Sequence, residues 1–368
     1  MLVNYFSAPD IAQAAQSVLQ DAPGTQVLVV DNSANAAEHQ RLCALLPPGA
    51  QALDAGANLG FGRGCNLGWQ ASKADHVFFV NPDVQLLGPG CIPTLVQALQ
   101  ADAGLAAVAP RQFLDPRCQW HLPPAWLPTA LRAWVSERVQ RDARHAPRLA
   151  RAAQAENLRL WQARAPIDQR ALSGSALMLR RSALAPDELP FDPQFFMYYE
   201  DSDLCLRLRR AGWRMAVVPA ARAIHAWRNA PHKQPLMEQG GQVYFQKHWP
   251  AGAQHPWLAR AAQQASRPAS TLPAWQPLSQ PWLDVPPAWH SGWLLEASPS
   301  PLLQPAIGLL AAGARASLPP AVLQAIAGAT LYARLSPLPP SHAAPGHPSA
   351  RWSQTALPTP VHVCWPGS

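Results

Sequence analysis

The chain has 368 residues, 41 of them proline, a formal net charge of +7 and only 14% charged side chains. That length exceeds one ordinary core and suits a large domain with a smaller one or an irregular tail, and the basic balance favours anionic partners. Six cysteines (Cys43, Cys65, Cys91, Cys118, Cys205, Cys364) without a CxxC pair exclude a zinc ribbon and a thioredoxin-type site and fit a reducing compartment.

In chain order, "MLVNYFS" is a short apolar start, "DIAQAAQSVLQ" has helical spacing, and "VLVV" (27–30) is a buried-strand run ending at Asp31-Asn32-Ser33. The N-terminal stretch has no basic region followed by a long apolar one. Nor do about 18 apolar residues run unbroken anywhere, so the sequence predicts a cytoplasmic chain, neither secreted nor membrane-spanning. "GCNLGWQASKA" reads as a helix entered through glycines, "HVFFV" (76–80) as a strand and "CIPTLVQALQAD" as a helix. "ALSGSALMLRRSAL" and "RMAVVP" follow as strands, with the helix "SDLCLRLRRAG" before the second and Gly212 as its C-terminal cap. This alternation predicts a parallel, doubly wound α/β sheet whose ligands bind at the carboxyl ends of the strands.

Residues 116–170 interrupt the pattern with a Pro-flanked basic segment, read as helical and inserted, with nine Arg against four acids between 130 and 170. Trp134 and Trp161 at intervals along it suit anionic headgroups at a membrane surface, and a solvated arginine-rich face explains the composition equally well. Nucleic-acid binding is not expected, because no recognition motif accompanies the arginines. Beyond residue 250 prolines and tryptophans rise and charges thin out. We expect a large domain over 1–250, a small domain or docked extension over 251–337, and a disordered, dispensable tail over 338–368.

The glycines of "ANLGFGRGCNLGW" match neither G-x-G-x-x-G nor a P-loop. They leave a tight turn feeding a helix N-terminus, suited to a phosphate with Arg63 close by, or to no ligand at all. Asp31 and Asp83 are ordinary turn chemistry taken singly, yet they recur at one sheet edge. Glu200, Asp201 and Asp203 stand within four positions after "FFMYY". One could cap the helix, but two adjacent carboxylates are costly unless a cation, a metal or an acceptor hydroxyl answers them. His225 is either a metal ligand or a core histidine.

Taken together, "VVDNS", "NLGFGRGCNLG", "NPDV", "SGSALMLRR", "FFMYYEDSDLCLRLRRAGW" and "HAW" resemble the inverting family 2 glycosyltransferases of the GT-A fold, especially the rhamnosyltransferase-like branch. The resemblance covers residues 1 to about 250. It implies an α/β GT-A nucleotide-sugar-binding fold carrying an Arg-rich helical insert and a Pro/Trp-rich C-terminal extension. The implied reaction is transfer from a UDP- or dTDP-sugar, dTDP-rhamnose included, to a hydroxyl of a cell-surface glycan or lipid-linked precursor. Asp31 would accept the N3–H of a uracil or thymine, and Asn58, Gly62, Arg63, Asn66, Asn81, Asp83 and Gly174 would join it around the donor. Asp83 and His225 would hold Mg²⁺ or Mn²⁺, with Asn81 replacing the first aspartate of the family's metal motif. Asp201 would be the general base, Glu200 its neighbour in catalysis, and "FFMYY" an apolar floor for sugar rings. A catalytically dead scaffold or glycan-binding module is the competing class. The survival of Asp31, Asp83, Asp201 and His225 argues against it.

Overall fold

The computed structural model describes residues 1–142, 146–226, 233–250, 256–265, 275–319, 322, 330–338 and 360–365. The chain opens with β1 (Leu2–Asn4), α1 (Ala8–Asp21), β2 (Val27–Asp31), α2 (Ala36–Leu45), β3 (Ala50–Asp54), α3 (Phe61–Ala71) and β4 (His76–Val80). Ile11, Ala14, Ala15 and Val18 recur at helical spacing and bury one face of α1, and β2 is buried over all five residues between β1 and β3, with which it pairs in parallel. The Val80 N–H donates to the Met1 carbonyl at 2.9 Å, which sets β4 beside β1.

Next come β5 (Val84–Leu86), α4 (Cys91–Ala101), β6 (Leu105–Phe113) and β7 (Trp120–His121), then α5 (Ala130–Arg141) and α6 (Ala146–Trp161) in the basic segment. After these follow β8 (Ile167–Asp168), β9 (Ala176–Arg180), α7 (Glu200–Arg210), β10 (Arg214–His225) and α8 (Lys233–His248). Gly212 ends α7 at φ +88°, and the Trp213 N–H returns to the Leu208 carbonyl. The central sheet is mixed, which corrects the parallel sheet expected from the alternation. β6 and β10 run parallel, but β9 lies antiparallel to both β4 and β6, and β5 antiparallel to β10. Strands buried on both faces read as continuous apolar runs whichever way they point, so direction was not in the pattern.

The remaining elements are α9 (Pro256–Ala265), β11 (Gln276–Pro277), β12 (Trp282–Asp284), β13 (Trp293–Ser298), β14 (Ile307–Ala311), β15 (Arg315–Ser317), β16 (Leu331–Pro337) and β17 (Val361–Trp365). The extension is joined to the central sheet, because β14 pairs with β7 through Gly308 opposite His121 and Leu309 opposite Trp120. Leu114, Trp120 and Leu122 share one core with Trp289, Trp293, Leu295, Val363 and Trp365. Val361–Trp365, inside the tail expected to be disordered, is a strand paired antiparallel with β16, with Val363 and Trp365 buried. Its alternation of Val361, Val363 and Trp365 is the period-2 signal that the proline-rich surroundings masked. The rest of that tail, except Leu338 and Pro360, lies outside the described residues.

One further expectation fails on contacts. Trp161 is buried and donates through Nε1 to the Leu122 carbonyl, so it is not presented to a surface, while half-buried Trp134 has its ring 5.0 Å from that of Trp257 of α9. Among the described residues no helix is long and apolar enough to cross a membrane.

Candidate active site

The carboxyl ends of β2, β4 and β10 and the first turn of α7 gather most of the residues singled out above. Antiparallel pairing of β10 with β5 sets His225 opposite Val84, and this register brings His225 Nε2 to 3.5 Å from Asp83 Oδ1. Burial alone would push the Asp83 carboxyl up. The hydrogen bond and charge of His225, aided by Lys233, outweigh it and hold Asp83 below the usual carboxylate range. Asn81 lies between these elements, its N–H donating to Ser175 O at 2.8 Å and its carbonyl accepting from Val84 N–H.

Asp201 sits in the first turn of α7, where helix N–H groups favour a negative charge. Its Oδ2 accepts the Gly174 N–H at 2.9 Å and its Oδ1 the Ser202 N–H at 2.6 Å. Burial raises the pKa of Asp201 above the ordinary value, and these hydrogen bonds only partly offset it. Gly174 is small for a reason: a Cβ there would stand 3.2 Å from Asp201 Cβ. Glu200 is buried with Oε2 unpartnered, and burial followed by the charge of Asp201 pushes its pKa up to about 8, so it is neutral at pH 7. Asp203 has a different office. It is fully buried and accepts from Lys247 (2.6 Å), His248 (2.8 Å) and Arg207 (2.9 Å), which fastens α7 to α8.

The turn before α7 carries Tyr198 and Tyr199, both at φ +68°, in a left-handed conformation that costs roughly 1–3 kcal/mol per residue and needs surrounding structure to hold it. Gly240 of α8 supplies part of that support, since a Cβ there would meet Tyr198 O at 2.6 Å. The "FFMYY" run is therefore mostly scaffolding rather than a sugar floor. Phe195 is in the core, Tyr199 packs on Tyr244, and only Phe196 is exposed.

The glycine loop is a tight turn feeding α3, as one of its two readings had it. Gly60 caps α3 at φ +81° with the Phe196 carbonyl so close that a Cβ would meet it at 2.1 Å, and Phe61 N–H already donates to that carbonyl. Gly62 lets α3 pack against Phe191 and Glu200. Asn66 exchanges two hydrogen bonds with the Phe191 backbone, exposed Arg63 donates to Pro193 O at 2.7 Å, and Asn58 accepts from Gly60 N–H. The glycines thus serve close helix packing, Asn66 gives its amide to the Phe191 backbone, and Arg63 gives its Nε–H to Pro193.

Asp31, at the end of β2, is 1% exposed, with Oδ1 accepting from Asn4 Nδ2 and Ser33 N–H (both 3.0 Å) and Oδ2 facing His39 Nδ1 at 2.9 Å. Burial raises its pKa, but the Ser33, Asn4 and His39 hydrogen bonds win and hold it low. Both oxygens are engaged by protein donors, where a base contact had been expected. Beside it, Tyr5 and Phe6 stand exposed with their rings 5.1 Å apart, edge to face.

A cavity of about 280 Å³ opens beside these groups, and Asp201, Ser202 and His225 line it together. Arg111, Gln112 and Gln169 and the insert residues Trp126 and Trp161 form other walls. Of these wall residues only Trp161 had been singled out, for a different role, and Arg111 and Gln169 carry no local motif.

The description "glycosyltransferase like family 2" matches residues 12–240, more than half of the chain. The chain belongs to that family. This glycosyltransferase is 31% identical over 252 residues to the N-acetylglucosaminyl-diphospho-decaprenol L-rhamnosyltransferase of Mycobacterium tuberculosis, a match covering 63% of this chain and 77% of the relative. A shorter stretch of 35 residues is 63% identical to rhamnosyltransferase WbbL of Escherichia coli, covering 10% of this chain and 13% of that protein. Among solved structures, the mannosyltransferase PcManGT of Pyrobaculum calidifontis in complex with GDP-Man and Mn²⁺ aligns with a TM-score of 0.43 at 13% identity, covering 72% of each chain.

Proposed function

We propose that this glycosyltransferase moves a sugar, rhamnose in the first instance, from a UDP- or dTDP-sugar to a hydroxyl of a glycan or lipid-linked acceptor, inverting the anomeric carbon. The observation that carries the reading is that Asp201 and His225 line one cavity. Asp201 takes the proton of the acceptor hydroxyl as its oxygen attacks, and inversion follows because the attack comes from the face opposite the departing diphosphate. Burial makes this carboxylate a stronger base than an exposed one, while Gly174 and Ser202 fix its direction. Neutral Glu200 avoids a second negative charge beside it.

A carboxylate and an imidazole facing each other are donor types that would suit a divalent cation. Asp83 and His225 are the residues that would hold Mg²⁺ or Mn²⁺. Among the described residues no group of three His, Cys, Asp or Glu stands together, so the protein would give the ion these two side chains. A bound ion neutralises charge growing on the leaving diphosphate. At the donor's other end, the exposed Tyr5 and Phe6 rings offer an apolar face to a pyrimidine. Asp31 works from behind, orienting Asn4 and His39. The name of the mycobacterial relative supports a lipid-linked acceptor. Such an acceptor would bring the chain to the inner face of a membrane, with the arginines of α5 and α6 nearest its headgroups.

The test is a thermal-shift screen of UDP- and dTDP-sugars with Mn²⁺, followed by a transfer assay that reads the product anomer. Selective stabilisation by dTDP-rhamnose and an inverted product are expected. Stabilisation without transfer to any glycan or lipid-linked acceptor would favour the inactive scaffold, and no stabilisation by any nucleotide sugar would remove the reading.

A further inference from the structure

The cavity beside Asp201 holds more hydrogen-bond donors than the protein answers. Arg111 lines it from β6 with its guanidinium half-buried. One terminal nitrogen donates to the Leu160 and Ala163 carbonyls at the end of α6, and Nε has no partner. Among the described residues no carboxylate pairs with it. Its own pKa is lowered by burial, and its charge adds to burial in lowering the pKa of His121 to about 4. Gln169, 5% exposed, lines the same cavity with Nε2 unpartnered. His121 stacks on the cavity residue Trp161, its ring centroid 5.8 Å away, and its Nδ1 is also unpartnered. A half-buried cation with neutral partners and idle N–H groups around it is costly unless a ligand brings the missing negative oxygen.

We propose that this cavity is an anion-reading acceptor subsite, in which Arg111 and Gln169 hold a phosphate or diphosphate oxygen of the acceptor and so present its hydroxyl to Asp201. The inference rests on the transferase reading above and adds which chemical class of acceptor the site takes. Guanidinium is suited to the task, since its fork of donors matches phosphate oxygens. Diphosphate reaches this enzyme from two sources, the donor nucleotide and the acceptor. The acceptor is favoured because Arg111 shares its walls with Trp126 and Trp161 of the insert, whereas Asp83, proposed above for the donor side, does not line this cavity and only His225 borders both.

The test uses the full chain saturated with dTDP or UDP and Mg²⁺. Calorimetry compares binding of farnesyl diphospho-N-acetylglucosamine with that of farnesyl N-acetylglucosaminide, which lacks the diphosphate. The parent is expected to prefer the diphosphate probe by about 10- to 100-fold, the range of a lost hydrogen bond to a charged group. Arg111→Gln should abolish that preference. So should Gln169→Glu, which leaves the Arg111 contacts to Leu160 and Ala163 in place. Nucleotide affinity, measured separately on each variant, reports on the fold and on the transferase reading. No preference in the parent, or a preference kept by both variants, overturns the proposal. A loss of nucleotide affinity in Arg111→Gln with the probe preference retained would also overturn it, by assigning the cation to the donor.

Discussion

The Gly174 N–H donates to Asp201 Oδ2 at 2.9 Å, so the loop entering β9 and the first turn of α7 grip one carboxylate between them. The grip sets the direction of the remaining lone pairs, and a base acts only along those.

Asp201→Asn keeps an oxygen for Gly174 but cannot take a proton. We expect kcat to fall about 10²-fold or more, as general bases contribute roughly 10²–10⁴, with nucleotide affinity retained. Rates measured under saturating donor decide it, and near-parental turnover would take Asp201 out of the mechanism.

Asp83→Ala and His225→Ala each remove one of the two side chains proposed to hold a divalent ion. The Mn²⁺ concentration for half-maximal activity should rise about tenfold or more in each. Metal titrations identical to the parent's would place the ion elsewhere.

Glu200 makes stability depend on pH in a definite direction. Its folded pKa of about 8 lies above the ordinary 4.5, so between those values the folded chain holds a proton that the unfolded chain has lost. Its contribution is complete below pH 4.5 and is lost as pH rises towards 8. Asp201, also raised, acts in the same sense. Glu200→Gln should flatten the fall in urea midpoint between pH 5.5 and 8.5, and an unchanged slope would contradict the assignment.

The extension reaches the site through one glycine. A Cβ at Gly308 of β14 would stand 2.1 Å from the Trp161 ring, and Trp161 lines the cavity. Gly308→Ala should displace that ring and raise the acceptor KM about tenfold, because small misplacements near reacting groups are expensive. Nucleotide affinity should stay as it was. An unchanged acceptor KM would separate the extension from acceptor binding.

Truncation after residue 337 removes β17 and bares the edge of β16, leaving Leu331, Ala333 and Leu335 without that covering strand. The shortened chain should lose thermal stability and aggregate on heating, with light scattering as the readout. Behaviour like the parent's would restore the dispensable tail inferred from composition.

Much of the fold was legible because it is written locally. The spacing of Ile11, Ala14, Ala15 and Val18 specifies α1 without any partner, and "VLVV" and "HVFFV" read as buried strands for the same reason. The glycine loop stayed open between a tight turn and a phosphate cradle because a positive φ and a close helix contact leave the same composition, and the Phe196 carbonyl shows the packing part of its work. The disordered tail misled because five alternating residues were judged by their neighbours.

By itself, the sequence determined the order of α1, β2, α3, β4, α4, β9, α7 and β10, the motif series of the family and the candidates Asp83, Asp201 and His225, since periodicity and chain order are properties of neighbouring residues. Only the tertiary structure decided that His225 meets Asp83, because that depends on the antiparallel register of β10 on β5. It alone revealed that Arg111 and Gln169 share a cavity with Asp201 and that Asp203 is a fastening rather than a reagent. Such facts depend on which side chains from distant segments enter the same small volume, and burial and pairing there set their charge and direction.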